Sequence, residues 1–204
     1  DPIEVLPFTV KGNAEANIMV VRTWGNDNIK FKYIVFRGEI NIAEYNQGIS
    51  TVVGQANATG AIAVGAVLYT NTPVFGVNPP TIASFSSTGG TEVYGSARSK
   101  PDLVAPNGVS TTVNMGNGDF DGDGKPNFFG TSAAAPHAAA VAALVAEGKK
   151  KFYNTTIQPS EVRSILTSTS LDMGTPGYDL VTGNGFILAD EALMSFASPT
   201  PIAS

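Results

Sequence analysis

Apolar residues follow two different patterns along this chain. In the first part, β-branched and aromatic residues cluster at 18–21 and 31–36, on either side of a turn signal at 25–28, which predicts antiparallel strands. From about residue 47, small residues dominate, and 61–68 is a continuous apolar run typical of a strand buried on both faces. A second short buried segment covers 102–106 and ends at a proline.

Three helices are predicted beyond these strands. The first runs from 132 to 147, is apolar on nearly every face, and is expected to be buried and to end at Gly148. A second begins at Pro159, and a third covers 190–196. The predicted organisation is therefore a β-rich segment or insertion at 1–46, an α/β domain at 47–197 and a flexible tail at 198–204.

Composition limits the classes of partner. Of the 204 residues, 43% are hydrophobic and only 14% are charged, which favours a packed globular core over disorder. The net charge is −5, and the longest basic cluster is the three-lysine run at 149–151, so we expect no nucleic-acid partner. No apolar stretch reaches membrane-spanning length, so we expect no membrane partner. The absence of cysteine excludes disulfides and thiolate metal sites.

Ser132 is the candidate nucleophile, because it lies at the start of the predicted buried helix. There the helix dipole and the free N–H groups could stabilise a developing oxyanion. The alternative is that Thr131 or Ser132 caps the helix. His137 is the single histidine of the chain. Five helical residues separate it from Ser132 by about 140° and about 7.5 Å along the axis, so we expect His137 to be a packed, structural imidazole and not the base of its own Ser132.

The segment 130–137, Gly-Thr-Ser-Ala-Ala-Ala-Pro-His, resembles the nucleophile motif of subtilisin-like serine peptidases. Other segments agree in order with the same family: 61–67, 83–90, 100–106, 171–179 and 182–187. The resemblance implies an α/β fold, the C-terminal half of a subtilase-like three-layer parallel-sheet domain, here preceded by a small antiparallel β segment. It also implies that Ser132 forms an acyl-enzyme, that peptides are the substrate class, and that the protein is secreted.

The chain departs from the family pattern in the remaining catalytic segments. We find neither the family's aspartate and histidine motifs nor its oxyanion asparagine segment. Three hypotheses stay open: a hydrolase fragment that needs a missing N-terminal half, a self-sufficient esterase with a rebuilt or intersubunit site, and a non-catalytic binding module. In the second, the base is His137 of another copy, a lysine such as Lys100, or a carboxylate. Because missing strands leave a sheet edge exposed, we expect pairing with the missing half or with a second copy.

A calcium site is predicted just before the nucleophile motif. Asp119, Asp121, Asp123 and Asn127 place oxygen atoms at alternate positions of a Gly-rich loop, as hard cations require. The loop resembles the opening of an EF-hand, but Gly130 occupies the twelfth position, where a bidentate glutamate is needed, so a complete EF-hand is excluded. The alternative is a solvated acidic turn. No other cofactor is expected. Asp102 is predicted to hold a loop through backbone hydrogen bonds.

Overall fold

The computed structural model describes residues 5–35, 40–46, 48–114, 116 and 118–198. The chain divides into two compact units, Asp1–Tyr33 and Ile34–Ser204. The domain boundary predicted at 46/47 lies inside the second unit. Of the predicted tail, only residue 198 is among the described residues.

The antiparallel β segment predicted before residue 47 is wrong for the described residues, none of which forms a strand there. The turn does form, since Gly25 has a φ of +83° and the Arg22 guanidinium donates to the carbonyls of Gly25 and Asp27. The apolar run at 18–21 is exposed, and Trp24 beside it is 87% exposed. A composition rich in β-branched and aromatic residues does not by itself form a strand. A strand also needs a partner for its backbone and a surface that buries one of its faces.

The second unit contains the predicted α/β core. Its described strands are β1 (Val64–Leu68), β2 (Glu92–Val93), β3 (Ser96–Ala97), β4 (Leu103–Asn107), β5 (Val109–Ser110) and β6 (Asn127–Phe128). Its described α-helices are α1 (Thr131–Tyr153), α2 (Pro159–Ser168) and α3 (Ala189–Met194). Strands β1 and β4 pair in parallel, with Val64 opposite Leu103 and Leu68 opposite Asn107.

The two faces of this parallel pair contact different neighbours. On one face, Ala66, Leu103 and Ala105 pack against α1, and on the other Val67 and Val104 pack against Met173 and Phe186. This division follows from the alternation of side chains along a strand. The continuous apolar run at 61–68 therefore reflects burial on both faces, as predicted, and the α/β fold class is confirmed.

Helix α1 differs from its prediction in two ways. It is not buried on nearly every face, because Ala135, Ala139, Ala140, Ala143 and Leu144 are exposed, whereas Ala133, Ala134, Ala138 and Val145 are buried against the sheet. It also passes through Gly148 and ends with Asn154 in the left-handed conformation. A Cβ at Gly148 would lie 3.1 Å from the Phe196 ring, so this glycine permits close packing of α1 against the segment that follows α3. Among the described residues, no helix combines the length and the apolarity needed to cross a membrane.

Candidate active site

Ser132 lies in the first turn of α1 and its side chain is exposed. Gly130 precedes the helix with φ 104° and ψ 171°, a conformation suited to glycine, and its carbonyl accepts hydrogen bonds from the N–H groups of Ala133 and Ala134. No side chain caps the helix, so the structure gives no support to capping by Thr131 or Ser132. A serine in this position faces solvent beside the positive end of the dipole of a 23-residue helix.

The turn that carries Ser132 is connected to the carboxyl end of β4. Strand β5 follows β4 directly and pairs with β6, so that Phe128 lies opposite Val109. The N–H of Gly108 donates to the carbonyl of Phe128 at 2.9 Å, and the N–H of Gly130 donates to Asn107 Oδ1 at 3.3 Å. The nucleophile turn is therefore positioned by the end of a buried parallel strand, where α/β folds commonly place their sites.

His137 is half-buried, and its Nδ1 lies 2.7 Å from the carbonyl oxygen of Ala133 on the preceding turn of α1. Because a carbonyl oxygen only accepts, Nδ1 carries the hydrogen in this contact. The ring is thus held on its own helix by a satisfied hydrogen bond. This contact supports the structural role expected from the helix geometry.

Lys100 belongs to a buried charge cluster at the amino end of β4. Its side chain is 3% exposed, and Nζ donates to the carbonyl of Ala61 and to Asp102 Oδ2, the latter at 2.8 Å. Asp102, 5% exposed, also accepts from the Ala63 N–H at 2.7 Å and from the Arg163 guanidinium. The loop-holding role predicted for Asp102 therefore agrees with its contacts. The Lys100 ammonium is paired with Asp102 at the amino end of β4, whereas the Ser132 turn contacts the carboxyl end. This arrangement argues against a Ser–Lys pair.

A cleft of about 180 Å³ lies beside the nucleophile turn. Thr131 borders it, and the other walls are mostly small or apolar; they include Val52, Val53, Ala56, Val64, Gly65 and Pro101.

The predicted calcium loop brings three of its four candidate ligands together. One carboxylate oxygen from each of Asp119, Asp121 and Asp123 lies within 4.8 Å of the other two, and all three residues are exposed. Asn127 is buried below them, and its carboxamide accepts from the Phe120 N–H and donates to Gly108 O and to Asp121 Oδ2.

Hydrogen bonding also affects the acidity of this loop. The bond from Asn127, together with that from the Tyr69 hydroxyl, lowers the pKa of Asp121 from its ordinary value, against an opposing effect of desolvation. The Tyr69 pKa is raised, mainly by desolvation and then by its bond to Asp121. The lowered pKa favours the ionised form of Asp121, which is the form that binds a hard cation, and the grouping of three carboxylates fits calcium chemically.

A sequence model of the subtilase family matches residues 4–185. The chain therefore belongs to the subtilase family. The match includes most of the segment 1–46. That this segment is an insertion stays a prediction.

Two plant proteins agree with this assignment in sequence. Over 134 residues, or 62% of this chain, it is 29% identical to subtilisin-like protease SBT2.1 of Arabidopsis thaliana. Over 98 residues, or 46% of this chain, it is 33% identical to subtilisin-like protease SBT2.2 from the same plant. The chain spans only 16% and 11% of the lengths of these two proteins. Among solved structures, fervidolysin from Fervidobacterium pennivorans is 26% identical, with a TM-score of 0.49 over 72% of this chain and 20% of that one. A lanthipeptide protease is 27% identical, with a TM-score of 0.47 over 70% of this chain and 44% of that one.

Two residues of the site were not singled out by sequence reasoning. Asn107 is the last residue of β4 and contacts the nucleophile turn, and Arg163 on α2 completes the ion cluster around Asp102. Arg163 is 61 residues from Asp102 in the chain, and the sequence pattern contains no signal for that contact.

Proposed function

We propose that this chain carries the nucleophile of a subtilase-type serine peptidase, and that the nucleophile is Ser132. The observation that carries the proposal is the exposed Ser132 side chain in the first turn of a long helix packed on a parallel sheet. In this mechanism Ser132 Oγ attacks the carbonyl carbon of the scissile bond and forms an acyl-enzyme, which water then hydrolyses. The N–H groups at the start of α1 stabilise the oxyanion.

The general base comes from outside this chain's own α1. The Nδ1 bond to Ala133 holds His137 on its own helix, five residues beyond Ser132, so its Nε2 is not directed at the Ser132 of the same chain, and Lys100 is paired with Asp102. A segment that supplies the histidine and aspartate of the family would complete the site. The exposed apolar face of α1, formed by Ala135, Ala139, Ala140, Ala143 and Leu144, is the surface that such a segment would cover. A second copy of the chain is the alternative source.

Peptides are the proposed substrates. The cleft beside Thr131 has mostly small or apolar walls, which suits an uncharged substrate side chain. Activated esters are the alternative, because their leaving groups need less protonation than an amine does. We also propose that the protein is secreted, and this part of the proposal rests only on membership of the subtilase family.

The experiment compares wild type with Ser132→Ala on casein and on a chromogenic ester, with and without an added subtilase N-terminal segment. Ser164→Ala, which removes an exposed hydroxyl on α2, is the matched control. We expect Ser132→Ala to abolish turnover and Ser164→Ala to leave it unchanged. Activity that appears only with the added segment selects the incomplete peptidase, whereas ester turnover by the chain alone selects the esterase.

If wild type shows no turnover in either arm, a non-catalytic role replaces the peptidase proposal. If Ser132→Ala keeps wild-type turnover, Ser132 is not the nucleophile.

A further inference from the structure

Asn107 is a polar residue placed in the apolar core. It ends β4, two positions after the fully buried apolar residues Leu103, Val104 and Ala105, and its own side chain is 0% exposed. Its Oδ1 accepts the N–H of Gly130 at 3.3 Å, whereas its Nδ2 has no hydrogen-bond partner among the described residues.

The single side-chain bond of Asn107 reaches the turn that presents the nucleophile. Gly130 is the residue before α1, and Ser132 follows it by two positions. Gly130 has a φ of 104°, which glycine adopts readily because it lacks a side chain. The same freedom means that contacts from other residues must select one orientation of the Gly130 peptide. The β5–β6 pairing supplies one such contact through Gly108 and Phe128, and Asn107 supplies the other.

Stability does not explain an asparagine at this position. A buried N–H group without a partner is unfavourable, and buried polar groups in native proteins are nearly always hydrogen-bonded. An apolar side chain of the same branching would leave no such group in the core, and the only bond it would remove among the described residues is the one that Asn107 accepts from the half-buried Gly130 N–H. A locally unfavourable residue beside a candidate nucleophile is the pattern expected where function, and not stability, determines the side chain.

We propose that Asn107 is a positioning residue for the nucleophile turn: its Oδ1 fixes the Gly130 peptide, and thereby the start of α1 and the direction of Ser132. This inference rests on the proposed function, since it gives Asn107 a role in the reaction of Ser132. Asn107 itself is fully buried and acts through Gly130, without contact with the substrate.

The test uses two substitutions of Asn107. Asn107→Leu keeps the number and branching of side-chain heavy atoms but removes the acceptor, and Asn107→Asp keeps an acceptor for Gly130. Asn184→Leu is the matched control, because the Asn184 side chain donates to the carbonyl of Asp102 just before the opposite end of β4. Hydrogen exchange of the Gly130 amide and the kinetics of the most active preparation are measured for each variant.

We expect Asn107→Leu to speed exchange at Gly130 by about tenfold or more and to lower kcat by about tenfold, with KM changed less than about twofold, because misplaced reacting groups slow the chemical step. Asn107→Asp is expected to recover most of the exchange protection, and Asn184→Leu to leave both readouts near wild type. The proposal is overturned if Asn107→Leu leaves Gly130 exchange unchanged, or if Asn184→Leu lowers kcat equally.

These two readouts separate failure of this inference from failure of the proposed function. If wild type does not hydrolyse any substrate tested, the peptidase proposal fails, while the exchange measurement still decides whether Asn107 holds the nucleophile turn.

Discussion

Removing the Asp102 carboxylate is expected to destabilise the second unit strongly. This carboxylate, 5% exposed, lies between Lys100 and Arg163 and also accepts the Ala63 N–H. Asp102→Ala leaves the Lys100 ammonium, 3% exposed, with only the carbonyl of Ala61 as a partner. Arg163 is 28% exposed and can turn toward water, so the uncompensated charge is mainly that of Lys100.

The magnitude follows from the burial of the pair. Removing one partner of a buried ion pair costs about 3–5 kcal/mol, because it leaves a charge without compensation in a poorly polarisable environment. For a domain of this size, each kcal/mol lowers Tm by about 2–4 °C, so we expect a fall of about 6–20 °C. A smaller loss would mean that water reaches Lys100 more easily than its burial indicates.

The measurement is urea and thermal unfolding followed by circular dichroism. Glu161→Ala is the control, because Glu161 pairs with Lys149 at 2.9 Å but is 47% exposed, and such surface pairs contribute about 0–1 kcal/mol. The double variant Asp102→Ala, Lys100→Met removes both charges and is expected to recover part of the loss. Equal effects of Asp102→Ala and Glu161→Ala would refute this reasoning.

Two further predictions concern the acidic loop. We expect millimolar calcium to raise Tm through Asp119, Asp121 and Asp123, and we expect Asp121→Ala to remove that rise; an unchanged Tm in wild type would contradict a calcium site. The second concerns pH without calcium: the hydrogen bonds to Asp121 lower its folded pKa, so its stabilising contribution is present above its ordinary pKa and is lost as the pH falls below that value. Asp121→Asn should therefore flatten the decline of Tm below about pH 4, and parallel curves for variant and wild type would count against this account.

The core strands and the nucleophile motif could be predicted because their signals are local. A continuous apolar run identified the strand that became β1, and Pro159 marked the start of α2. The resemblance around Ser132 identified both the family and the start of the long helix. Each of these signals lies within a few residues of the feature that it predicts.

The predictions that were wrong depended on contacts with other parts of the chain. The run at 18–21 has strand composition but no strand partner among the residues that the structure describes, and pairing cannot be read from composition. Gly148 is a helix-ending residue by propensity, yet α1 continues because this glycine gives room for the ring of Phe196, 48 residues further along the chain. The absence of a partner at 18–21 and the contact with Phe196 at Gly148 therefore outweighed local preference.

The sequence by itself determined the family, the α/β class and Ser132 as the candidate nucleophile, since short motifs and apolar runs carry that information. Only the tertiary structure decided that His137 bonds to its own helix, that Lys100 is committed to Asp102, and that Asn107 contacts Gly130. The first two contacts depend on the direction in which side chains point, and the third depends on the close approach of segments 23 residues apart. Both are fixed by packing of the whole core and not by local sequence.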